Sequence, residues 1–134
     1  MATEQQDYIG ENAVMANQEH ITLLEQGNRI WRKWRKHHPD VTPDLRGAEL
    51  EKIDLDGMDL HDADLREANL RFARLRGANL RNANLAGADL READVRYADL
   101  TDAVLPKADL RSTDFRKSVL ETVDLSGANL DGAY

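Results

Sequence analysis

From Leu45 to Leu130 an apolar residue stands at every fifth position, eighteen times without a break. We call this the central position of each unit; sixteen of its residues are Leu, and the other two are Val95 and Phe115. From Leu50 onward, the residue two places earlier, the inner position, is also small or apolar, and twelve of these seventeen residues are Ala. Few backbone arrangements repeat at an interval of five, so this period constrains the fold more than any other feature.

Neither regular secondary structure accommodates this period. On an α-helix, five steps of about 100° rotate successive Leu by about 140°, which scatters them around the helix. On a flat strand five is an odd number, so alternate Leu would point to opposite sides. The chain must therefore bend once in every five residues, with the central and inner positions on one face. Gly recurs two places after the Leu, as at Gly47, Gly57 and Gly77, where a turn favours it.

The segment before the repeats follows a helical period instead. Between Gln18 and His38 the apolar residues share one stripe at about 100° per residue, which predicts a single amphipathic helix. Asn17 is suited to cap its start, and Pro39 disfavours helical geometry at the residue before it. The residues expected to pack this helix against the first coil are Leu23, Leu24, Gly27, Ile30, Trp31 and Trp34.

The repeating unit resembles that of the pentapeptide-repeat family, Ala-Asp/Asn-Leu-x-x, as in Ala88-Asp89-Leu90-Arg91-Glu92 and Ala78-Asn79-Leu80-Arg81-Asn82. The resemblance covers residues 43–134. It implies an all-β solenoid, a right-handed quadrilateral β-helix with four units per coil and about 4.5 coils in total. The predicted helix resembles the N-terminal cap of small, often cyanobacterial, members of that family.

These patterns predict three regions along the chain: a flexible tail over residues 1–17, a capping helix over residues 18–40 and a β-helix over residues 41–134. Met15 is an alternative start. Four units per coil imply that residues twenty apart stack, which places Val95 directly before Phe115 in one column. We predict that these two compensate in volume. Ile53 and Met58 are the largest residues at the inner position and are expected to meet the cap.

The outer surface carries two charge patterns. The residue before the central position is acidic eleven times, and the residue after it is Arg nine times. We interpret them mainly as solvated Asp, Asn and Arg ladders that support turns and satisfy backbone groups. Alternatively, stacked Arg columns with nearby aromatic rings form a surface for an acidic partner or nucleic acid. That candidate interaction surface consists of Arg71, Arg76, Arg91, Arg96, Arg111, Arg116, Phe72 and Tyr97.

Nothing in the sequence predicts catalysis. An interior filled with Leu and Ala leaves no cavity for a substrate, so we expect no catalytic residue, no bound cofactor and no enzyme activity. The four histidines, which we interpret as surface residues, lack the spacing of metal ligands, so no metal site is predicted. They are His20, His37, His38 and His61. The absence of Cys is compatible with a reducing compartment, and we expect a cytoplasmic protein.

The remaining expectations concern partners. The sequence favours a noncatalytic scaffold or protein-interaction module whose protein partner is unknown. The alternative is a DNA mimic that binds a topoisomerase, because quinolone-resistance members of the family present an acidic solenoid to DNA gyrase. Arg74, Val104 and Val119 interrupt the acidic columns here and count against mimicry. The net charge of −7 disfavours nucleic acid, and no apolar run approaches the roughly 18 residues of a membrane span.

The last coil has no predicted helix over it. Tyr134 is expected to cover part of this edge; otherwise the exposed backbone pairs with a second molecule, so both a monomer and a dimer stay open.

Overall fold

The structure is a computed structural model that describes residues 16–134. Helix α1 spans Gln18–Glu25 and helix α2 spans Asn28–His37; together they form the cap. The repeats follow from residue 43. The predicted tail over residues 1–17 and the alternative start at Met15 fall almost entirely outside the described residues.

The prediction of one capping helix is wrong, because the chain breaks at Gly27. The N–H of Gly27 donates to the carbonyl of Leu24 at 3.1 Å, which closes the last turn of α1. Gly27 then adopts φ 98° and ψ 173°, a conformation that only Gly reaches without strain. Its carbonyl accepts the N–H of Trp31 at 3.0 Å and starts α2. Asn17 caps α1 as predicted, since its Oδ1 accepts the N–H of Glu19 at 2.9 Å.

The repeats form a ladder of isolated parallel β-bridges rather than extended strands. Each bridge joins the residue before a central position to its counterpart twenty residues later, from Asp44–Asp64 to Asp109–Asn129. At Leu80 the central N–H donates to Asp99 in the following layer at 2.8 Å. The preceding N–H, that of Asn79, donates to Met58 in the layer before at 2.9 Å. Stacked layers therefore hold the chain together through hydrogen bonds in both directions.

The corner position, two residues after the central one, has a left-handed backbone in every unit. Gly supplies it at some corners, but twelve corners carry other residues with φ between 54° and 64°. Phe72 and Tyr97 are among them, although bulky residues are disfavoured there by about 1–2 kcal/mol. The hydrogen bonds explain why the geometry persists. The N–H of Phe72 donates to Arg91 in the next layer, and the N–H of Ala73 closes the turn onto Leu70, both at 3.0 Å.

The core is a stack of central and inner side chains. Every central residue from 45 to 110 is at most 2% exposed, and Phe115 is 8% exposed. At the first layer Met58 is buried and Ile53 is partly buried against the core. The compensation expected between Val95 and Phe115 stays a prediction.

The two ends of the stack differ. At one end the cap buries Leu24 and Trp31 completely, and Trp31 Nε1–H donates to the carbonyl of Asp59 at 2.7 Å. At the other end Leu120 and Leu130 are 42% and 43% exposed. Tyr134 extends the ladder through its N–H to Thr113, but its own side chain is 71% exposed and covers little of this layer.

Candidate functional site

The polar side chains on the outside of the coil satisfy a hydrogen-bonding requirement of the backbone. In a typical unit four of the five backbone N–H groups donate to backbone carbonyls, and the fifth, just after the central residue, does not. The side chain just before the central residue accepts it. Asp89 Oδ1 accepts the N–H of Arg91, and Asn84 Oδ1 accepts the N–H of Ala86, both at 3.1 Å. The acidic pattern of the sequence is therefore largely a pattern of Asx turns.

Two units without Asp or Asn just before the central residue show that this N–H needs an acceptor. Arg74 has no acceptor to offer, and Asp56 Oδ1 of the preceding layer accepts the N–H of Arg76 at 2.8 Å instead. Val104 has no acceptor either, and the residue that would need one is Pro106, which has no N–H. Two of the three residues that interrupt the acidic columns, Arg74 and Val104, are thus compensated locally.

The arginines pair with the same carboxylates. Arg91 Nε and Nη2 donate to Asp89 Oδ1 and Oδ2 at 2.9 Å and 2.6 Å, a two-bond contact. Five further pairs share this geometry. They are Arg46–Asp44, Arg66–Asp64, Arg96–Asp94, Arg111–Asp109 and Arg116–Asp114.

These contacts set the charge state of the ladder. The hydrogen bond from Arg91 lowers the pKa of Asp89, and that from Arg116 lowers the pKa of Asp114 to about 2. The carboxylates are therefore ionised at neutral pH and neutralise the guanidinium groups beside them. Because the pairs are exposed, each stabilises the fold only slightly.

All six arginines of the predicted interaction surface are paired with a carboxylate, though not all with the same geometry. Arg71 Nη1 lies 3.4 Å from Glu51, and Arg76 Nη2 lies 3.2 Å from Asp56. The other four use the Asp two residues earlier. Contacts also run between layers, since Arg91 Nε lies 3.5 Å from Asp109. The columns are ladders of alternating charge rather than a bare cationic strip.

The two predicted aromatic residues project from corners of this ladder. Phe72 is 40% exposed, and the guanidinium carbon of Arg71 lies 5.6 Å from the centre of its ring. Tyr97 is 60% exposed, with Lys117 Nζ 6.0 Å from its ring centre. Both rings thus offer apolar contact area within an otherwise charged face.

The predicted cap residues take different roles. Leu24 and Trp31 are buried, Leu23 and Trp34 are partly buried against the core, and Ile30 is half-buried. Gly27 lies at the break between the helices.

Sequence reasoning missed two buried polar residues of the cap. Arg35 is 7% exposed, and its Nη2 donates to the carbonyl of His61 at 2.8 Å. His20 was interpreted as a surface residue, and that is wrong. It is 8% exposed, and its Nδ1 accepts the N–H of Asp44 at 2.8 Å. Burial lowers the pKa of His20, which keeps the ring neutral. No sequence signal identified either residue, because both bonds reach backbone atoms far along the chain.

Residues 16–134 contain no group of three His, Asp or Glu side chains that could hold a metal ion. Neither helix of this part of the chain has the length and apolar composition needed to cross a membrane.

The family model for pentapeptide repeats matches in eight copies, over residues 44–82, 68–105, 83–121 and 105–134. No curated protein matches the chain.

Among solved structures, a pentapeptide repeat protein from Nostoc Pcc 7120 is 36% identical, covering 70% of this chain and 74% of its own, with a TM-score of 0.54. A pentapeptide repeat protein from the Arabidopsis thaliana thylakoid lumen is 33% identical over 67% of this chain and 63% of its own, with a TM-score of 0.44. One from the cyanobacterium Cyanothece 51142 is 28% identical over 64% of this chain and 66% of its own, with a TM-score of 0.34.

The family match and the structure of the Nostoc protein imply a right-handed quadrilateral β-helix, the fold that the resemblance of the repeating unit implies. The matched residues span most of the chain, and the repeating unit quoted from the sequence is the unit that the family model describes. This chain belongs to the pentapeptide-repeat family.

Proposed function

We propose that the chain is a noncatalytic scaffold, a β-helix of about 4.5 coils whose outer faces bind a protein partner. The observation that carries this proposal is the filled interior. Central side chains from 45 to 110 are at most 2% exposed, so the coil has no chamber in which a substrate can be enclosed. Any recognition must use the outer faces.

The outer faces suit a protein partner because their side chains are held in place. Two-bond contacts between Arg and Asp restrict the long Arg side chains before binding, which lowers the entropy that a partner must offset. Phe72 and Tyr97 add exposed aromatic area, the kind of side chain that contributes most at protein interfaces. The proposed docking surface is the one predicted from the sequence, and both aromatic residues belong to it.

The alternative proposal is a DNA mimic that binds a topoisomerase. A mimic needs an uncompensated acidic face, whereas here Asp89, Asp94, Asp109 and Asp114 are each paired with an Arg. We therefore expect no inhibition in a DNA gyrase supercoiling assay. Inhibition at a stoichiometric ratio of chain to enzyme would replace the scaffold proposal with mimicry.

A pull-down with a matched control tests the scaffold proposal. The bait is the full chain, the extract comes from its native cells, and the variant is Phe72→Ser together with Tyr97→Ser. The control is Asn82→Ser with Lys107→Ser, which changes corner residues with the same left-handed φ on the other two corner columns. We expect a retained protein to be lost with the aromatic variant and kept with the control. Equal retention by both variants contradicts the proposed surface, and a turnover activity that follows the chain through purification contradicts the noncatalytic assignment.

Two further expectations accompany this proposal. We expect a cytoplasmic location, which cell fractionation tests. Both a monomer and a dimer through the layer of Leu120 and Leu130 stay open, and sedimentation at several concentrations distinguishes them. A mass that does not change with concentration contradicts pairing.

A further inference from the structure

Helix α2 carries five Lys and Arg residues and no Asp or Glu between Asn28 and His37. Four of the five are exposed, and no carboxylate of residues 16–134 pairs with any of them. These four, which we call the basic face, are Arg29, Arg32, Lys33 and Lys36. By contrast, each of the ten arginines in the repeats lies within 3.4 Å of a carboxylate. Within residues 16–134, Lys52, Lys107 and Lys117 of the repeats also lack an ion pair, but they stand on three different corner columns, whereas the basic face gathers four unpaired cations on one helix.

Hydrogen bonds between α2 and the first layer of the coil determine which way the basic face points. Trp31 and Arg35, one turn apart, bond to the carbonyls of Asp59 and His61 in the first layer at 2.7 Å and 2.8 Å. The basic face has the spacing i, i+3, i+4 and i+7 from Arg29, which places it on the opposite side of α2. Seven residues of helix span about 10 Å, so the four cations form a compact footprint on a helix that is anchored to the first layer.

We propose that the basic face docks a short acidic segment of a protein partner. This inference rests on the proposed scaffold function and names the chemistry of one partner. A helix with Glu or Asp at i, i+3, i+4 and i+7 has the same spacing and the opposite charge, so it can pair with all four cations at once.

The surroundings favour a protein segment over nucleic acid or a lipid surface. Single-stranded nucleic acid binds by stacking on exposed rings, and peripheral helices insert apolar side chains into membranes. Both Trp residues of α2 pack instead toward the core, Trp31 fully and Trp34 partly. Residues 41–134 also carry nineteen acidic against thirteen Lys and Arg residues. A polyanion that extends beyond the 10 Å footprint would meet this acidic body within about one Debye length.

The test is a titration of the full chain against a labelled helical peptide of about 20 residues, built from Ala and Glu with Glu at i, i+3, i+4 and i+7. Fluorescence anisotropy reports binding at low salt. The variant is Arg32→Glu with Lys36→Glu, and we expect the Kd to rise by about tenfold or more. The matched control is Lys52→Glu with Lys107→Glu, which changes the net charge equally. Glu92 and Glu67 already occupy equivalent corners of those two columns. We expect this control to change the Kd by no more than about threefold.

Three outcomes would overturn the inference: no binding of the peptide, equal weakening by the two charge reversals, or tighter binding to single-stranded DNA or to phosphatidylserine vesicles than to the peptide. Circular dichroism of each variant checks that it is folded. The basic-face inference and the scaffold proposal can be contradicted separately. A native partner lost with the Phe72 and Tyr97 variant but kept with Arg32→Glu and Lys36→Glu would contradict the basic face and leave the scaffold intact.

Discussion

The covered and uncovered ends of the coil bury equivalent residues of the repeat to different extents. Leu60 and Leu120 stand in one column at equivalent central positions, yet Leu60 is fully buried and Leu120 is 42% exposed. The cap and a following layer surround Leu60, whereas no layer of residues 16–134 lies beyond Leu120. The repeat therefore directs a side chain inward, and the neighbouring layer determines whether water is excluded. Stability in such a stack comes mainly from contacts between layers.

The largest effect should come from the covered end. Trp31→Ala removes a fully buried ring and its hydrogen bond to Asp59, and we expect a loss of about 3–5 kcal/mol in the free energy of unfolding. Urea denaturation followed by circular dichroism measures it. Tyr134→Ala, at the uncovered end, should cost less than about 1 kcal/mol. Similar losses at both ends would show that the cap stabilises no more than an exposed side chain does.

The next effect compares a covered and an uncovered Leu of the same column. Leu80→Ala should lower the free energy of unfolding by about 3 kcal/mol, because Leu80 is fully buried between two layers. Leu120→Ala makes the same chemical change where 42% of the residue is exposed, and we expect a loss of about 1 kcal/mol. If the two variants unfold at the same urea concentration, covering layers do not determine the contribution of a central Leu.

A smaller effect tests the ladder away from both ends. Pro106→Arg introduces an N–H that Val104 cannot accept, and Val104→Asp supplies the acceptor. A double-mutant cycle in urea should give a favourable coupling free energy of about 1 kcal/mol between the two substitutions. Additive effects would mean that water satisfies this N–H and that the Asx turn is dispensable.

The smallest effect is a pH dependence just below about pH 6.5, which comes from the covered end. Burial lowers the pKa of His20, although Asp44 and Glu19 act to raise it. As the pH falls, His20 is therefore protonated in the unfolded chain before it is protonated in the folded one. The contribution of neutral His20 to the free energy of unfolding is complete above about pH 6.5, and it is lost as the pH falls through the lower pKa of the folded state. Just below about pH 6.5, the slope of the unfolding free energy against pH should shrink in His20→Gln. It should persist in the control His38→Gln, which changes an exposed residue; the same slope in all three chains would contradict the role of His20.

Much of the repeat could be predicted from the sequence, and the cap less so. The period of five determines which side chains face inward, so Leu80 and Ala78 could be placed without coordinates. The break at Gly27 could not, because on a helical stripe Gly is indistinguishable from a small apolar residue until its positive φ is seen. His20 and Arg35 bond to backbone atoms of Asp44 and His61, contacts between segments that no local pattern records.

The most direct test of the account is native-state hydrogen exchange at equivalent amides of one column. The Leu80 N–H donates to Asp99 in the next layer at 2.8 Å, whereas the Leu120 N–H has no backbone acceptor within residues 16–134. If layers provide the protection, the Leu80 amide should exchange only on global unfolding, and the Leu120 amide at least about tenfold faster through local opening. Equal protection of the two amides would contradict the claim that stacking, rather than the repeat by itself, holds the coil together.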